Sequence, residues 1–244
     1  MKISRQTFLQ MGLRMSGVAA LAAAAKRVVA AVSKTRWAMA VDTAACARQP
    51  NCTKCIAACH QAHNVPTIPD PRHEIRWIAK VTFDQAFRGQ EDEYSPLRAA
   101  PAMVLCNHCD DPACVRVCPT QATFKREDGI VAMDFHRCIG CRYCMAACPY
   151  GSRSFNWSDP RPYIHNPIPE FPTRTKGVVE KCSFCSERLG TGRAPACVES
   201  CPEKALVFGN VADPGSPIRQ LLGARRHIRR KPEAGTGPEV YYIV

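Results

Sequence analysis

Apolar residues along this chain come in short runs separated by turn-forming residues. Trp37-Ala38-Met39-Ala40-Val41-Asp42 reads as a strand. Glu74 to Phe83 (EIRWIAKVTF), with its β-branched and aromatic content, reads as a second. Gly129 to Asp134 reads as a turn and short strand, and Ala205-Leu206-Val207-Phe208 as another strand. Ser216-Pro217 marks a helix start, with Ile218, Leu221 and Leu222 on one face. The turn Gly235-Thr236-Gly237-Pro238 leads into a last apolar strand, Val240 to Val244. Residues 84–101 read as a mostly polar linker. Asp159 to Thr173 carries five prolines and reads as an extended surface connection. Twenty prolines and fourteen glycines in 244 residues point to a loop-rich α+β protein of one or two domains.

The N-terminal pattern differs. Lys2 and Arg5 form a basic start, and Gly12 to Ala25 is a weakly hydrophobic, alanine-rich stretch interrupted by Arg14. It is too short for a membrane span. Ser4 to Gln10 resembles a twin-arginine export motif, with Gln6 in place of the second arginine and Gln10 in place of the usual lysine. Residues 1–31 therefore read as an export signal rather than fold, with Val29-Ala30-Ala31 as the favoured cleavage region and a periplasmic destination.

Charge narrows little. The formal net charge is +12, but residues 1–31 hold five bases and no acid, so about +7 remains without them. Sixteen thiols are counted as neutral in that sum. A four-thiolate iron–sulfur cluster carries about −2 when oxidised, and four of them bring the mature chain close to neutral. The basic balance thus gives no ground for a nucleic-acid partner.

The cysteines change the picture most. Sixteen of them fall into four groups of four. Cys138, Cys141, Cys144 and Cys148, followed by Pro149, form C-x2-C-x2-C-x3-C-P, the bacterial ferredoxin run. Cys106, Cys109, Cys114 and Cys118 precede Pro119, and Cys182, Cys185, Cys197 and Cys201 precede Pro202. Cys46, Cys52, Cys55 and Cys59 precede His60. Iron favours soft thiolate ligands, and a proline after the fourth cysteine turns the chain away from helix. Structural zinc also uses C-x2-C pairs, and the last group alone fits either metal. Four cysteines within eleven residues and a Cys-Pro ending do not fit zinc. Disulfides are the other reading open to an exported chain. Sixteen thiolates match four [4Fe–4S] clusters, or three if the altered first group holds none. Apolar packing looks thin, so bound metal should supply much of the folding free energy.

Around the cysteines stand His60, His63, His108 and His136, read as hydrogen-bond partners or surface residues. Trp37, Trp77 and Trp157 are read as packing, and Arg142, Tyr143 and Lys181 as neighbours able to tune cluster electrostatics. No Ser/His/Asp or Cys/His catalytic set, no G-x-G-x-x-G and no Walker loop occurs, so no catalytic residue is assigned.

The cysteine groups, the Asn64-Val65-Pro66 turn, Ile75-Arg76-Trp77, Cys106-Asn107-His108-Cys109 and Ala196-Cys197-Val198-Glu199 together resemble the four-cluster ferredoxin subunits of bacterial respiratory complexes. That family includes the iron–sulfur subunits of polysulfide, tetrathionate and dimethyl sulfoxide reductases. The run Cys138 to Gly151, with the signal on the chain itself, most resembles the DsrO-like subunits of DsrMKJOP complexes of sulfur metabolism. The resemblance implies two bacterial-type two-cluster ferredoxin units with small strands and short helices. One spans 32–105 and 176–244 with extensions, the other 106–175 with the Pro-rich connection. It implies crossed ligand sets: Cys46, Cys52, Cys55 and Cys201; Cys182, Cys185, Cys197 and Cys59; Cys106, Cys109, Cys114 and Cys148; Cys138, Cys141, Cys144 and Cys118. It implies an electron-transfer subunit, not itself an enzyme. Its partners would be an NrfD-type integral membrane subunit and haem-containing or other redox subunits, with membrane association only through them. The β subunit of a molybdenum-dependent oxidoreductase is the alternative. An enzyme reducing a sulfur compound would need an open iron site, and a zinc-stapled interaction protein would lack visible absorption. For docking surfaces the readings are Val240 to Val244 and the Pro160–Pro172 connection.

Overall fold

The computed structural model describes residues 35–89 and 98–244, so the export signal read over 1–31 lies outside it. From Thr35 to Val244 the chain forms one compact unit. Strand β1 (Trp37–Asp42) occupies the span expected for it. It alternates with the period of two that a strand imposes. Met39 and Val41 enter the main core, while Ala38 and Ala40 face a second cluster. Asp42 then caps α1 (Thr43–Ala47) by accepting from the Ala45 N–H at 2.9 Å. Helix α2 (Lys54–His63) carries Cys55 and Cys59 and stops at Asn64, whose φ of 51° is left-handed.

The second strand is shorter than its sequence suggests. Only Ile78–Thr82 pairs, as β2, and Phe83 opens α3 (Phe83–Ala86). Thr82 and Gln85 form a capping box, which ends the strand one residue early. Ile75 and Trp77 are buried without pairing as strand. The expected linker 84–101 thus begins in a helix and ends in β3 (Pro101–Leu105), which pairs antiparallel with β2.

After β3 one pattern recurs. The helices α4 (Ala113–Arg116) and α5 (Tyr143–Ala146) are four residues long and carry Cys114 and Cys144. Strands β4 (Thr123–Lys125) and β5 (Val131–Met133) pair between them, the latter inside the span expected. Strand β6 (Ser154–Phe155) pairs with β7 (Val179–Glu180) across the Pro-rich connection. Two more short helices follow, α6 (Ser186–Leu189) and α7 (Ala196–Glu199) with Cys197. Each Cys-Pro step then closes a tight turn. The N–H groups of Gln121, Gly151 and Lys204 donate to the carbonyls of Cys118, Cys148 and Cys201, each at 3.3 Å. Proline sits at the position its fixed φ favours, and Gln121, Gly151 and Lys204 are left-handed, with φ of 54°, 62° and 49°.

Strand β8 (Leu206–Asn210) leads to α8 (Pro217–Ala224), capped by Ser216, whose hydroxyl accepts from the Arg219 N–H. Ile218, Leu221 and Leu222 pack as one face onto the cluster of Ala38, Ala40 and Ile243. Strands β9 (His227–Ile228) and β10 (Val240–Ile243) complete a four-stranded sheet of order β8-β1-β10-β9. Strand β10 runs parallel to β1, Met39 opposite Val240, and lies inside the sheet. This corrects the reading of Val240 to Val244 as docking surface. Val240, Tyr242 and Ile243 are fully buried, because apolar residues on both faces of an inner strand have core on either side.

The Pro-rich connection is mostly exposed, as expected, with one turn of 3-10 helix at Arg161–Tyr163. It is not loose. Asn64 donates to the Ile168 carbonyl and accepts from the Ile168 N–H, both at 2.8 Å. Behind it lies a fully buried ion pair, Arg174 to Glu180 at 2.7 Å. Arg174 also donates to the carbonyls of His63 and Asn64, and Glu180 accepts from Trp77 and Asn156. Removing one partner of such a pair leaves a buried charge unpaired. Glu180→Ala should therefore destabilise the iron-loaded protein by about 3–5 kcal/mol in denaturant titration. A loss under about 1 kcal/mol, the range of an exposed pair, would mean that water reaches Arg174.

Candidate iron–sulfur centres

All sixteen cysteines are free thiols, which sets the disulfide reading aside. Their grouping in space is not their grouping in sequence. One cavity is lined by Cys46, Cys52 and Cys55 together with Cys201, which follows α7. Another is lined by Cys106, Cys109 and Cys114 together with Cys148, beyond α5. In both, three cysteines of one group meet the fourth of another. Cys59, the last of the first group, instead has Cys182, Cys185 and Cys197 as its foremost thiol neighbours, ahead of Cys55 of its own group. Cys144 has Cys138 and Cys118 close by, along with Cys114 of the adjoining quartet. Cys141 lies exposed at the rim.

The chemistry of these donors is one-sided. Burial, then Lys80 in the opposite sense, leaves the Cys55 thiol pushed up to about 11. Burial pushes Cys109 and Cys197 up to about 12, Cys109 against the pull of a hydrogen bond to Thr236. Burial and repulsion from the other thiols of its set put Cys59 well above its ordinary value. Cys182 is raised in the same way, by burial and then by Cys185, Cys106 and Cys197. Cys118 goes the other way. Burial would raise it, but backbone N–H groups of Thr123, Thr120 and Ala122 and the Thr120 hydroxyl outweigh burial. Four thiolates in one cavity repel unless a cationic centre binds them all, and metal binding displaces the thiol protons. Buried donors without partners point the same way. Asn107 Nδ2 and one terminal nitrogen of Arg153 have no hydrogen-bond acceptor. Both residues line the second quartet, where sulfur acceptors would satisfy them. The residues present fit iron–sulfur groups.

Cations lie where the quartets adjoin. Arg153, buried beyond Pro149, faces Cys114, Cys144 and Cys106; burial would lower its pKa, but these thiols raise it. Lys181 is buried and donates to the carbonyls of Val131 and Cys182. Lys80, on β2, reaches Cys46. Of these only Lys181 was marked by its sequence position. Lys80 and Arg153 are single bases in strand or loop, and nothing local flags them. Arg142 and Tyr143 face outward, Arg142 over the Trp157 ring.

The histidines divide. His63 is buried between Trp77 and Phe171, with Nδ1 3.0 Å from the Cys59 carbonyl and Nε2 2.7 Å from a Glu187 oxygen. Burial would lower its pKa, but hydrogen bonds to Cys185 and Glu187 raise it to about 9. His108 is fully buried, and burial holds it well below its ordinary value. His136 is exposed and His60 contacts Thr67, so neither stands against a quartet as His63 and His108 do. Trp37 stacks on Phe208 and Trp77 is core, as expected, but Trp157 is 44% exposed.

Residues 101–161 and 168–211 match the 4Fe-4S dicluster domain family. The chain is 43% identical over 231 residues to the Hdr-like menaquinol oxidoreductase iron–sulfur subunit 1 of Archaeoglobus fulgidus, covering 86% of this chain and 83% of that one. It is 38% identical to a tetrathionate reductase subunit of Salmonella typhimurium, over 85% of this chain and 72% of the relative. Protein NrfC of Escherichia coli is 36% identical over 98% of this chain and 95% of its own length.

Proposed function

The chain belongs to the family of 4Fe-4S dicluster iron–sulfur subunits of respiratory oxidoreductases, and from that membership we propose that it carries electrons between a membrane-embedded quinone-reactive subunit and other redox subunits. The observation that carries the reading is the mixing of cysteine groups in the two cavities, three from one and one from another. This is how a paired two-cluster ferredoxin shares its fourth ligands. Four [4Fe–4S] clusters would be held by Cys46, Cys52, Cys55 and Cys201; by Cys182, Cys185, Cys197 and Cys59; by Cys106, Cys109, Cys114 and Cys148; and by Cys138, Cys141, Cys144 and Cys118. On this reading the fold is two interleaved ferredoxin units, 32–105 with 176–244 and 106–175. Bound clusters supply one-electron exchange without moving atoms.

The protein's own residues do the rest. Short helices and Cys-Pro turns aim the thiolates inward. Trp77, Phe87 and Met103 keep water from the core side of the first and second sets. Lys80, Arg153 and Lys181 offset the net negative charge that each set would carry. On this reading all sixteen cysteines serve as ligands and leave no open iron site, and the chain relays rather than catalyses.

Among the described residues no helix is long and apolar enough to cross a membrane. On the proposed reading, membrane association comes through an NrfD-type partner, on the periplasmic side if 1–31 acts as an export signal. The 43% identity to a menaquinol oxidoreductase subunit supports this reading, and the 38% identity to the tetrathionate reductase subunit supports the alternative, the β subunit of a molybdenum-dependent reductase. The test is purification of the tagged chain from its own cells in mild detergent, with protease accessibility in sealed spheroplasts. We expect a multisubunit membrane complex containing the chain, digested from the outer face. A free monomer that exchanges electrons with no membrane fraction would refute the assignment.

A further inference from the structure

Three C-x2-C loops share one backbone bend. The residue before the second cysteine is left-handed in each: His108 with φ 42°, Gly140 with φ 70° and Phe184 with φ 53°. Glycine takes that conformation without penalty, whereas a residue with a Cβ is strained by it. In the third group glycine is required, because a Cβ on Gly140 would lie 2.3 Å from the Gly177 carbonyl oxygen. The second and fourth groups place large rings there instead. Those rings meet. His108 and Phe184 stack with centroids 3.7 Å apart and planes 19° from parallel. Both are buried, at 0% and 1% exposure. The Val131 N–H donates to His108 Nδ1 at 3.1 Å, which fixes the imidazole, and Phe208 packs edge-on against Phe184 at 5.3 Å. The loops that carry them also bring Cys106 and Cys182 within electrostatic reach of one another.

We infer that His108 and Phe184 are positioning residues that fix the separation of the two central quartets, that of Cys106, Cys109, Cys114 and Cys148 and that of Cys182, Cys185, Cys197 and Cys59, and fill the gap between them. This rests on the relay reading above. Packed rings hold two loops at one spacing, while glycine at both positions would leave a void and a hinge. Tunnelling decays more steeply across a void than through packed atoms. The step at this junction is one electron leaving one central centre and arriving at the other, with no proton or bond involved. Strained backbone at two positions, each carrying a ring that stacks on the other, is what such a spacer requires.

The test uses the full chain reconstituted anaerobically, as His108→Gly, Phe184→Gly and His108→Phe. Two readouts apply besides iron content. One is the magnetic coupling between the two central clusters in low-temperature paramagnetic spectra of the reduced protein. The other is the rate of electron redistribution after a pulse of methyl viologen radical, which is oxidised to its dication as it donates one electron. Both glycine variants should keep their iron, show weakened coupling and redistribute severalfold more slowly. His108→Phe keeps a ring in the stack while giving up the Val131 hydrogen bond, and should keep the parent's coupling where His108→Gly loses it. Parent-like coupling and rate in both glycine variants would overturn the inference. Should the glycine variants lose iron, His108→Phe decides: slowing or lost coupling at full iron content would mean that the imidazole, not the stack, matters, and would overturn it as well. Failure of electrons to redistribute among the centres of the parent is a separate result, which refutes the relay reading itself.

Discussion

Stripping the iron from this protein is expected to unfold it. Cys55, Cys59, Cys106, Cys182 and Cys197 are members of the main core alongside Trp77, Met103 and Tyr242. The helices that carry Cys114, Cys144 and Cys197 are four residues long. Helices of that length do not persist on local hydrogen bonds alone. The pairs β4–β5 and β6–β7 are isolated ribbons, also marginal by themselves. Structural zinc contributes about 10–16 kcal/mol to zinc-finger peptides, against a net stability of about 5–15 kcal/mol for a whole domain. Loss of even one metal-binding contribution of that order would exceed the net stability. The measurement is near-UV circular dichroism and urea titration of protein treated with an iron chelator under reducing conditions. Loss of the near-UV signal and of any cooperative transition is the expected result, with recovery on adding back iron and sulfide. An apoprotein that still unfolds cooperatively would show that the four-stranded sheet and α8 carry the fold alone.

The second large effect concerns which centre a given cysteine serves. Cys201→Ser should remove or convert the cluster of Cys46, Cys52 and Cys55, although Cys201 belongs in sequence with Cys182, Cys185 and Cys197. Cys148→Ser should likewise strike the cluster of Cys106, Cys109 and Cys114 and spare that of its own group. Each follows from a cavity that gathers those four thiols. A cubane with one thiolate replaced by a hydroxyl loses a soft ligand and tends to shed one iron or the whole cluster. Total iron should fall from about sixteen per chain to between about twelve and fifteen. Paramagnetic spectra identify the centre lost when each variant is compared with Cys46→Ser and Cys106→Ser. If Cys201→Ser and Cys182→Ser instead abolish the same signal, the crossed assignment is wrong.

Both expectations draw on what was legible in the chain. Four quartets of cysteine are a local signal, since loop geometry around a metal depends on spacing over a few residues. The strands at Trp37–Asp42 and Leu206–Asn210, and the helix from Pro217 with its apolar face, were legible for the same reason. Less was legible at Glu74 to Phe83, where a capping box competes with strand pairing within one residue of Thr82. The apolar tail at Val240–Ile243 misled. Exposed and doubly buried strands carry the same residues, and only the partners β1 and β9 tell them apart.

The sequence by itself therefore determined the metal chemistry, the short elements that present the thiols and the turns after each Cys-Pro. All of these depend on residues within about one turn of each other in the chain. The tertiary structure alone decided which thiols meet and what lies between them. Lys80 reaches a quartet to which no sequence neighbour ties it, and Arg174 pairs with Glu180 behind the Asn64 turn. His108 and Phe184 are ordinary residues in two separate motifs until the fold stacks them. Long-range contacts of this kind leave no periodicity or spacing in the chain, because each is set by the packing of whole segments rather than by the residues beside it.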